Sequence, residues 1–196
     1  MQTELEAKFL DVNHDKLRRS LKQQGATCRL PMRLMHRKNF DFPDFRFQES
    51  GGWVRVRDEG DRITMSYKQL NDRGLHGTKE VNLVVSDFSE ACNFLRSIGL
   101  EEKTDQETKR ESWELAGVEI ELDEWPWVKP YVEIEAKTEE NLKKIAKLLG
   151  LNFQDAVFGS VEIVYEAEYN VTDEEIDMIP VVKFGKIPKW LEERRK

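Results

Sequence analysis

The chain has 196 residues, 39% apolar and 35% charged, and its 31 basic and 38 acidic side chains leave a net charge of −7 with histidine neutral. That length suits one domain, which buries roughly 70% of the surface its unfolded chain exposes, and the 5 Trp and 10 Phe argue against disorder. The acidic balance argues against a general nucleic-acid or membrane-surface binder, while leaving room for a basic pocket inside an acidic shell, and no apolar run approaches the roughly 18 residues of a membrane span.

Residues 3–9 alternate and read as a strand. Asn13 or Asp15 caps a helix running to about 24, which Gly25 closes. Residues 33–42 read as a strand, and Pro43 and Gly51-Gly52 bound a loop. Residues 53–58 and 62–70 form a hairpin around Glu59-Gly60-Asp61. A polar loop over 71–77 leads to a strand over 78–85, and Ser86 or Asp87 caps a helix ending before Gly99. A second hairpin, 106–115 and 118–124, turns at Ala116-Gly117. An extended connection over 125–130 reaches the eighth strand, 131–136. Thr138 caps a helix to 149, ended by Gly150. Beyond Phe158 the pattern supports a short helix over 173–179 and a basic-rich terminal helix over 188–195. Eight strands in one domain suggest an antiparallel barrel or two packed sheets.

The strand faces carry more information than the strand count. Glu4, Glu6 and Lys8 share one face of the first strand, and Leu5, Ala7 and Phe9 the other. Arg55 and Arg57 share a face, as do Thr64, Ser66 and Lys68, then Glu80 and Asn82, then Arg110, Ser112 and Glu114. Glu119, Glu121 and Asp123 share a face of the seventh strand, and Glu133 and Glu135 of the eighth. One reading is a sheet with its charges in water. The other is a barrel with a polar lumen and its apolar face turned outward under the helices. The second accounts for the segregation: acids cluster on some strands and bases on others. Buried unpaired charges cost several kcal/mol each, so such acids need a cation and such bases an anion. Carboxylate clusters suit Mg²⁺ or Mn²⁺; Arg and Lys in the same cavity suit a polyphosphate.

These residues resemble a known family. Glu4-Leu5-Glu6-Ala7-Lys8 is similar to the E-x-E-x-K signature of CYTH-domain proteins, the triphosphate tunnel metalloenzymes. Val54-Arg55-Val56-Arg57, Thr64-Met65-Ser66-Tyr67-Lys68, Arg110-Glu111-Ser112-Trp113, Glu121-Leu122-Asp123 and Tyr131-Val132-Glu133-Ile134-Glu135 follow the family order over roughly residues 2–170. The resemblance implies an α+β fold: an eight-stranded antiparallel β-barrel (tunnel) with covering helices over 1–170, and a C-terminal helical extension over 171–196. It implies Glu4, Glu6, Glu121, Asp123, Glu133 and Glu135 as Mg²⁺ or Mn²⁺ ligands. It implies Lys8, Arg55, Arg57, Lys68 and Arg110 as triphosphate ligands, with Lys8 and Glu80 in the chemistry. Asn82 stands where the family often has an acid.

The expected activity is metal-dependent hydrolysis of a triphosphate-bearing small molecule. The alternatives are a class IV-type adenylate cyclase and a non-catalytic triphosphate- or polyphosphate-binding module. The polar opening Met1-Gln2-Thr3-Glu4 has no signal-peptide pattern, and Cys28 and Cys92 lack C-x-x-C spacing. A cytoplasmic chain with free thiols is expected, monomeric or homodimeric, with no nucleic-acid or membrane partner. Trp53 and Trp125-Pro126-Trp127 are packing residues or a platform for an organic ring. Phe40, Phe42, Phe45 and Phe47 read as core or lid packing, and His14, His36 and His76 show no metal spacing. The basic tail 183–196 reads as a solvated helix or a plug over one tunnel mouth.

Overall fold

The computed structural model describes residues 2–3, 5–70 and 78–196. Glu4, His76 and the loop expected over 71–77 therefore lie outside the described residues.

The strands are β1 Gln2–Thr3, β2 Glu6–Phe9, β3 Thr27–Asp41, β4 Gly52–Asp58, β5 Ile63–Leu70, β6 Thr78–Val85, β7 Glu101–Leu115, β8 Val118–Glu124, β9 Tyr131–Glu135 and β10 Val181–Val182. They form one sheet in the order β1-β6-β5-β4-β3-β7-β8-β9-β2. The single strand expected over 3–9 is divided: β1 pairs with β6 at one edge, and β2 pairs with β9 at the other. Counted as one strand, this segment joins the two edges, and eight antiparallel strands curl around a lumen as expected. The tenth strand, β10, pairs parallel with β7 at Asp105 and Gln106, beside the stretch that β8 leaves free by ending opposite Lys109.

Helices α1 His14–Gln23, α3 Phe88–Ser97 and α4 Glu139–Leu148 begin at side-chain caps, whereas the single turn α2 Arg46–Glu49 does not. Asn13, Asp87 and Thr138 each accept a hydrogen bond from the backbone N–H three residues on, at 2.9, 2.8 and 3.2 Å. Leu17 and Leu21 of α1 and Leu142, Ile145 and Ala146 of α4 bury their stripe on the outer faces of β2, β7, β8 and β9, against Ala7, Phe9, Trp113, Ile120, Leu122, Val132 and Ile134. Each large apolar side chain buried there contributes about 1.5–3 kcal/mol. Ala91, Cys92 and Leu95 of α3 cover Phe40 and Val56 in a second cluster. The apolar faces thus point outward, under helices over β2, β7, β8, β9 and part of β3 and β4, whereas Val81 and Leu83 of β6 stand exposed; the charged faces point inward. Among the described residues no helix is long and apolar enough to cross a membrane. Cys28 and Cys92 are free thiols.

Two strands outrun their sequence pattern. β3 begins at Thr27 rather than 33, and β7 at Glu101 rather than 106. They pair with each other from Thr27 opposite Glu114 to Asp41 opposite Glu101, with three register shifts. Pro31 has no N–H to donate and sits at one shift. Glu101–Asp105 is polar on both faces, which hides its alternation.

The C-terminal end is less helical than expected. The helices are α5 Glu162–Glu168, α6 Asp173–Asp177 and a four-residue α7 Lys189–Glu192, rather than one over 188–195. Arg194 and Arg195 instead pair with the backbone at Tyr169 and Asn170. This end packs Val164, Tyr165, Tyr169, Ile176, Val182 and Leu191 on Trp125 and Tyr131.

Candidate functional site

Alternation along the strands aims one charged set into the lumen. A cavity of 450 Å³ is lined by Lys8, Arg37, Arg55, Arg57, Lys68 and Arg110, with Glu6 and Glu133. Gly51, at φ +73°, lets the chain close on one end; a Cβ there would stand 2.3 Å from the Leu70 carbonyl oxygen.

The cationic wall runs over β3, β4, β5 and β7. Arg37 stands opposite Arg57, and Lys68 opposite Glu80. Glu80 lies 3.1 Å from the Lys68 Nζ and 3.6 Å from Arg55. Glu59, 2% exposed, accepts from Arg57 at 2.6 and 3.0 Å, from Arg62 at 3.0 Å and from the Thr64 hydroxyl at 2.9 Å. Burial works against the Glu59 charge, but Arg57 and these bonds overcome it and bring the carboxyl down to about 2. Arg37 donates to the Thr108 hydroxyl at 2.8 Å and lies 4.6 Å from the Trp125 ring centre. The Nε atoms of Arg37 and Arg55 are buried and, among the described residues, have no hydrogen-bond partner. Burial, then the charge of Arg57, lowers Arg55 to about 9, with Glu80 opposing. Burial, then Arg55, Arg57 and Arg110, push Arg37 well below the ordinary arginine range.

The acidic wall occupies β2, β8 and β9 in two rungs. Glu6, Glu135 and Glu119 stand directly opposite one another across these strands; Lys8, Glu133 and Glu121 form the next rung. Like charges placed opposite destabilise each other. Burial first, then Glu119, Glu133 and Glu6, raise Glu135 to about 7. Burial raises Glu121 to about 7 against the pull of Arg110, and its buried Oε2, 3.9 Å from the Arg110 Nε, has no hydrogen-bond partner among the described residues. Lys8 is nearly enclosed; its Nζ donates to Glu6 and to the Gly159 carbonyl, both at 2.7 Å, and lies 3.4 Å from Glu133. Burial alone would discharge it, but Glu133 and Glu6 hold its pKa above the ordinary lysine range. Lys8 and Arg110 in turn keep Glu133 ionised against its burial.

The two walls are strained in opposite senses: among the described residues Arg37 has no carboxylate partner, while burial and neighbouring carboxylates raise Glu135, and burial raises Glu121 although Arg110 lies 3.9 Å away. An oxygen-only donor set with an unpartnered buried carboxylate oxygen fits a hard divalent cation. Among the described residues, no three His, Cys, Asp or Glu side chains are grouped so as to hold a metal by themselves.

Of the residues singled out in the sequence, Glu6, Lys8, Arg55, Arg57, Lys68, Arg110 and Glu133 line the cavity. Glu80 and Asp123 reach it through Lys68, Arg55 and Arg110. Glu121 and Glu135 stand in the rungs behind. Trp53, Trp125 and Phe45 line it, whereas Phe42 and Phe47 pack under α3. His14 bonds the Tyr131 carbonyl at 2.9 Å, and His36 bonds Asp105 at 2.6 Å. The tail over 183–196 does not plug the cavity; Ser160, Val161, Glu162, Asp173, Asp177, Met178 and Pro180 line it instead. Burial, then Glu162, pushes the Asp177 carboxyl well up.

Sequence reasoning missed Arg37, Glu59 and these later residues apart from Glu162, which it set near the tunnel without a physical reason for its place. Arg37 sits two residues from Asn39 and four from Arg33 on one strand face, but Met35 interrupts the run. Glu59 reads as a turn residue. The segment after 158 has no period that would place its acids.

A curled eight-stranded sheet enclosing opposed cationic and acidic walls defines the class of charged β-tunnel proteins. The chain belongs to the CYTH domain family, whose model matches residues 2–154. Among solved structures it is similar to a Vibrio parahaemolyticus protein described as a putative adenylate cyclase, at 17% identity and TM-score 0.73, covering 84% of this chain and 98% of that one. It is similar to the PH1012 protein of Pyrococcus horikoshii, at 22% identity and TM-score 0.65, covering 78% and 93%. A Hippeastrum protein, described as a putative adenylyl cyclase with a dominant triphosphatase activity, matches at 13% identity and TM-score 0.59, covering 89% and 94%. Among curated proteins, none matches the chain.

Proposed function

We propose that the protein hydrolyses a triphosphate: inorganic triphosphate, a nucleoside triphosphate or thiamine triphosphate. The observation that carries this reading is the buried arginine cluster, in which the Nε atoms of Arg37 and Arg55 have no hydrogen-bond partner among the described residues, in a cavity faced by crowded carboxylates. A phosphate chain offers many oxygens in a row, and each guanidinium grips two at once. Arg37, Arg55, Arg57, Lys68, Arg110 and Lys8 bind that chain. Glu6, Glu133 and Glu135, with Glu121, Asp123 and Glu4, would hold Mg²⁺ or Mn²⁺, which when bound neutralises and orients phosphate oxygens.

Water adds to the terminal phosphorus and gives up a proton to a tunnel carboxylate, the bond to the bridging oxygen breaks, and that oxygen leaves with the electron pair on the diphosphate. Lys8, held charged by Glu133 and Glu6, and the arginines stabilise the charge that moves onto these oxygens. Lys8 touches the transferred group; Glu80 positions Lys68 and Arg55. The tunnel over 1–170 carries this chemistry, with 171–196 as an extension packed on it, and acts in the cytoplasm as a monomer or homodimer.

The activity described for the Hippeastrum protein supports the hydrolase reading, and the description of the Vibrio protein brings in the cyclase. In a cyclase the ribose 3′-hydroxyl attacks the α-phosphorus and pyrophosphate leaves. The arginine cluster serves either reaction, so the test reads products. With ATP and Mg²⁺ or Mn²⁺ we expect orthophosphate. Cyclic AMP with pyrophosphate would replace the hydrolase by the cyclase, and tight binding without turnover would leave a binding module.

A further inference from the structure

Four arginines share the buried end of the cavity, and they are not held alike. Arg55 faces Glu80, Arg57 faces Glu59, and Arg110 faces Asp123. Arg37 has the Thr108 hydroxyl and the face of Trp125, and among the described residues it has no carboxylate partner. A buried guanidinium needs compensation. An indole face supplies it through its quadrupole without a formal negative charge, so it does not compete with an incoming anion.

Trp125 is itself held from behind. It is 6% exposed and packs with Tyr131, Tyr165 and Tyr169. The Tyr165 hydroxyl donates to the Pro126 carbonyl at 2.9 Å, and the Tyr169 hydroxyl donates to the Trp127 carbonyl. Arg195 donates to Tyr169 at 2.7 Å. Trp127 sits at φ +71°, a conformation a bulky residue keeps only where its surroundings impose it. Tyr165, Tyr169 and Arg195 all lie beyond residue 154, where the family match ends.

We propose that Trp125 is a positioning residue for anion capture: its ring fixes the Arg37 guanidinium in the cavity, and the C-terminal segment, through Tyr165 and Tyr169, fixes Trp125. The inference rests on the triphosphate reading of the cavity, and it assigns the ring to the protein's own arginine rather than to an organic group on the substrate.

The test is calorimetric titration of the full-length protein with tripolyphosphate, with melting temperature measured for each variant. Trp125→Leu should weaken binding about tenfold or more, and Trp125→Phe, which keeps a ring face, should recover most of it. In an Arg37→Met background, Trp125→Leu should add nothing, as a double-mutant cycle reads coupling. If Trp125→Leu does not fold, Tyr165→Phe is decisive: weaker tripolyphosphate binding at an unchanged Arg37→Met baseline supports the inference, and wild-type binding overturns it. Wild-type affinity in Trp125→Leu, or effects that add to those of Arg37→Met, overturn the inference alone. A wild-type protein that binds no tripolyphosphate overturns the triphosphate reading as well.

Discussion

Arg110 on β7 and Asp123 on β8 stand directly opposite one another, joined by hydrogen bonds of 2.7 and 2.5 Å, with the carboxylate 1% exposed. The pair is the seam between the cationic and acidic walls. Burial works against the Arg110 charge, yet Asp123, Glu133 and Glu121 hold its pKa well above the ordinary range. In Asp123→Ala the cation is left with Glu133 at 3.6 Å and Glu121 at 3.9 Å. Stability should fall by about 3 kcal/mol, read as a lower denaturant midpoint at an unchanged slope. An unchanged midpoint would show that the pair carries no structural weight.

The Glu6–Glu135–Glu119 rung makes stability depend on pH. The folded state favours protonated Glu135, with a pKa of about 7 against an ordinary 4.5. Its cost therefore grows as pH rises from about 4.5 and levels off above about 7, reaching roughly 3 kcal/mol. In chelated, metal-free buffer, Glu135→Gln should raise the melting temperature at pH 8 and leave it unchanged at pH 4. Added Mg²⁺ should stabilise the wild type more at pH 8 than at pH 5. A lower melting temperature for the variant at pH 8 would make Glu135 a structural support instead.

Glu59 has the reverse sign. Its folded pKa of about 2 lies below the ordinary 4.5, so its contribution is complete above about 4.5 and is lost as pH falls towards 2. That contribution is roughly 3 kcal/mol. Glu59→Gln should be destabilised at pH 7, and the gap from wild type should close on acidification. A gap that stays constant down to pH 2 would rule out the charge as its source.

The strand faces were the legible part of this protein. Arg55 and Arg57, Glu119, Glu121 and Asp123, and Glu133 and Glu135 alternate with apolar residues at strict period two, which allowed either a sheet with its charges in water or a barrel with a polar lumen; the resemblance to the CYTH family selected the barrel. Pattern failed where both faces are polar, as in the first turns of β7, and where a bulge at Pro31 resets the register of β3. Arg37 escaped because Met35 separates it from the other basic residue on its face. Glu162, Asp173 and Asp177 reach the cavity through tertiary packing of short elements, which leaves no periodic trace.

Arg57→Ala separates the two walls functionally. Losing a charged bidentate grip should weaken tripolyphosphate binding about 10- to 100-fold. Mn²⁺ affinity, followed by calorimetry without phosphate, should change much less. The reverse order would exchange the roles assigned to the cationic and acidic walls.

Orthophosphate release from tripolyphosphate by the purified wild-type chain, with Mg²⁺, with Mn²⁺ and with chelator, tests triphosphate hydrolysis most directly. Turnover with a divalent cation, abolished by chelator and by Glu133→Gln in protein that is still folded, is the predicted result. No release with either metal, together with no binding of tripolyphosphate, would contradict it.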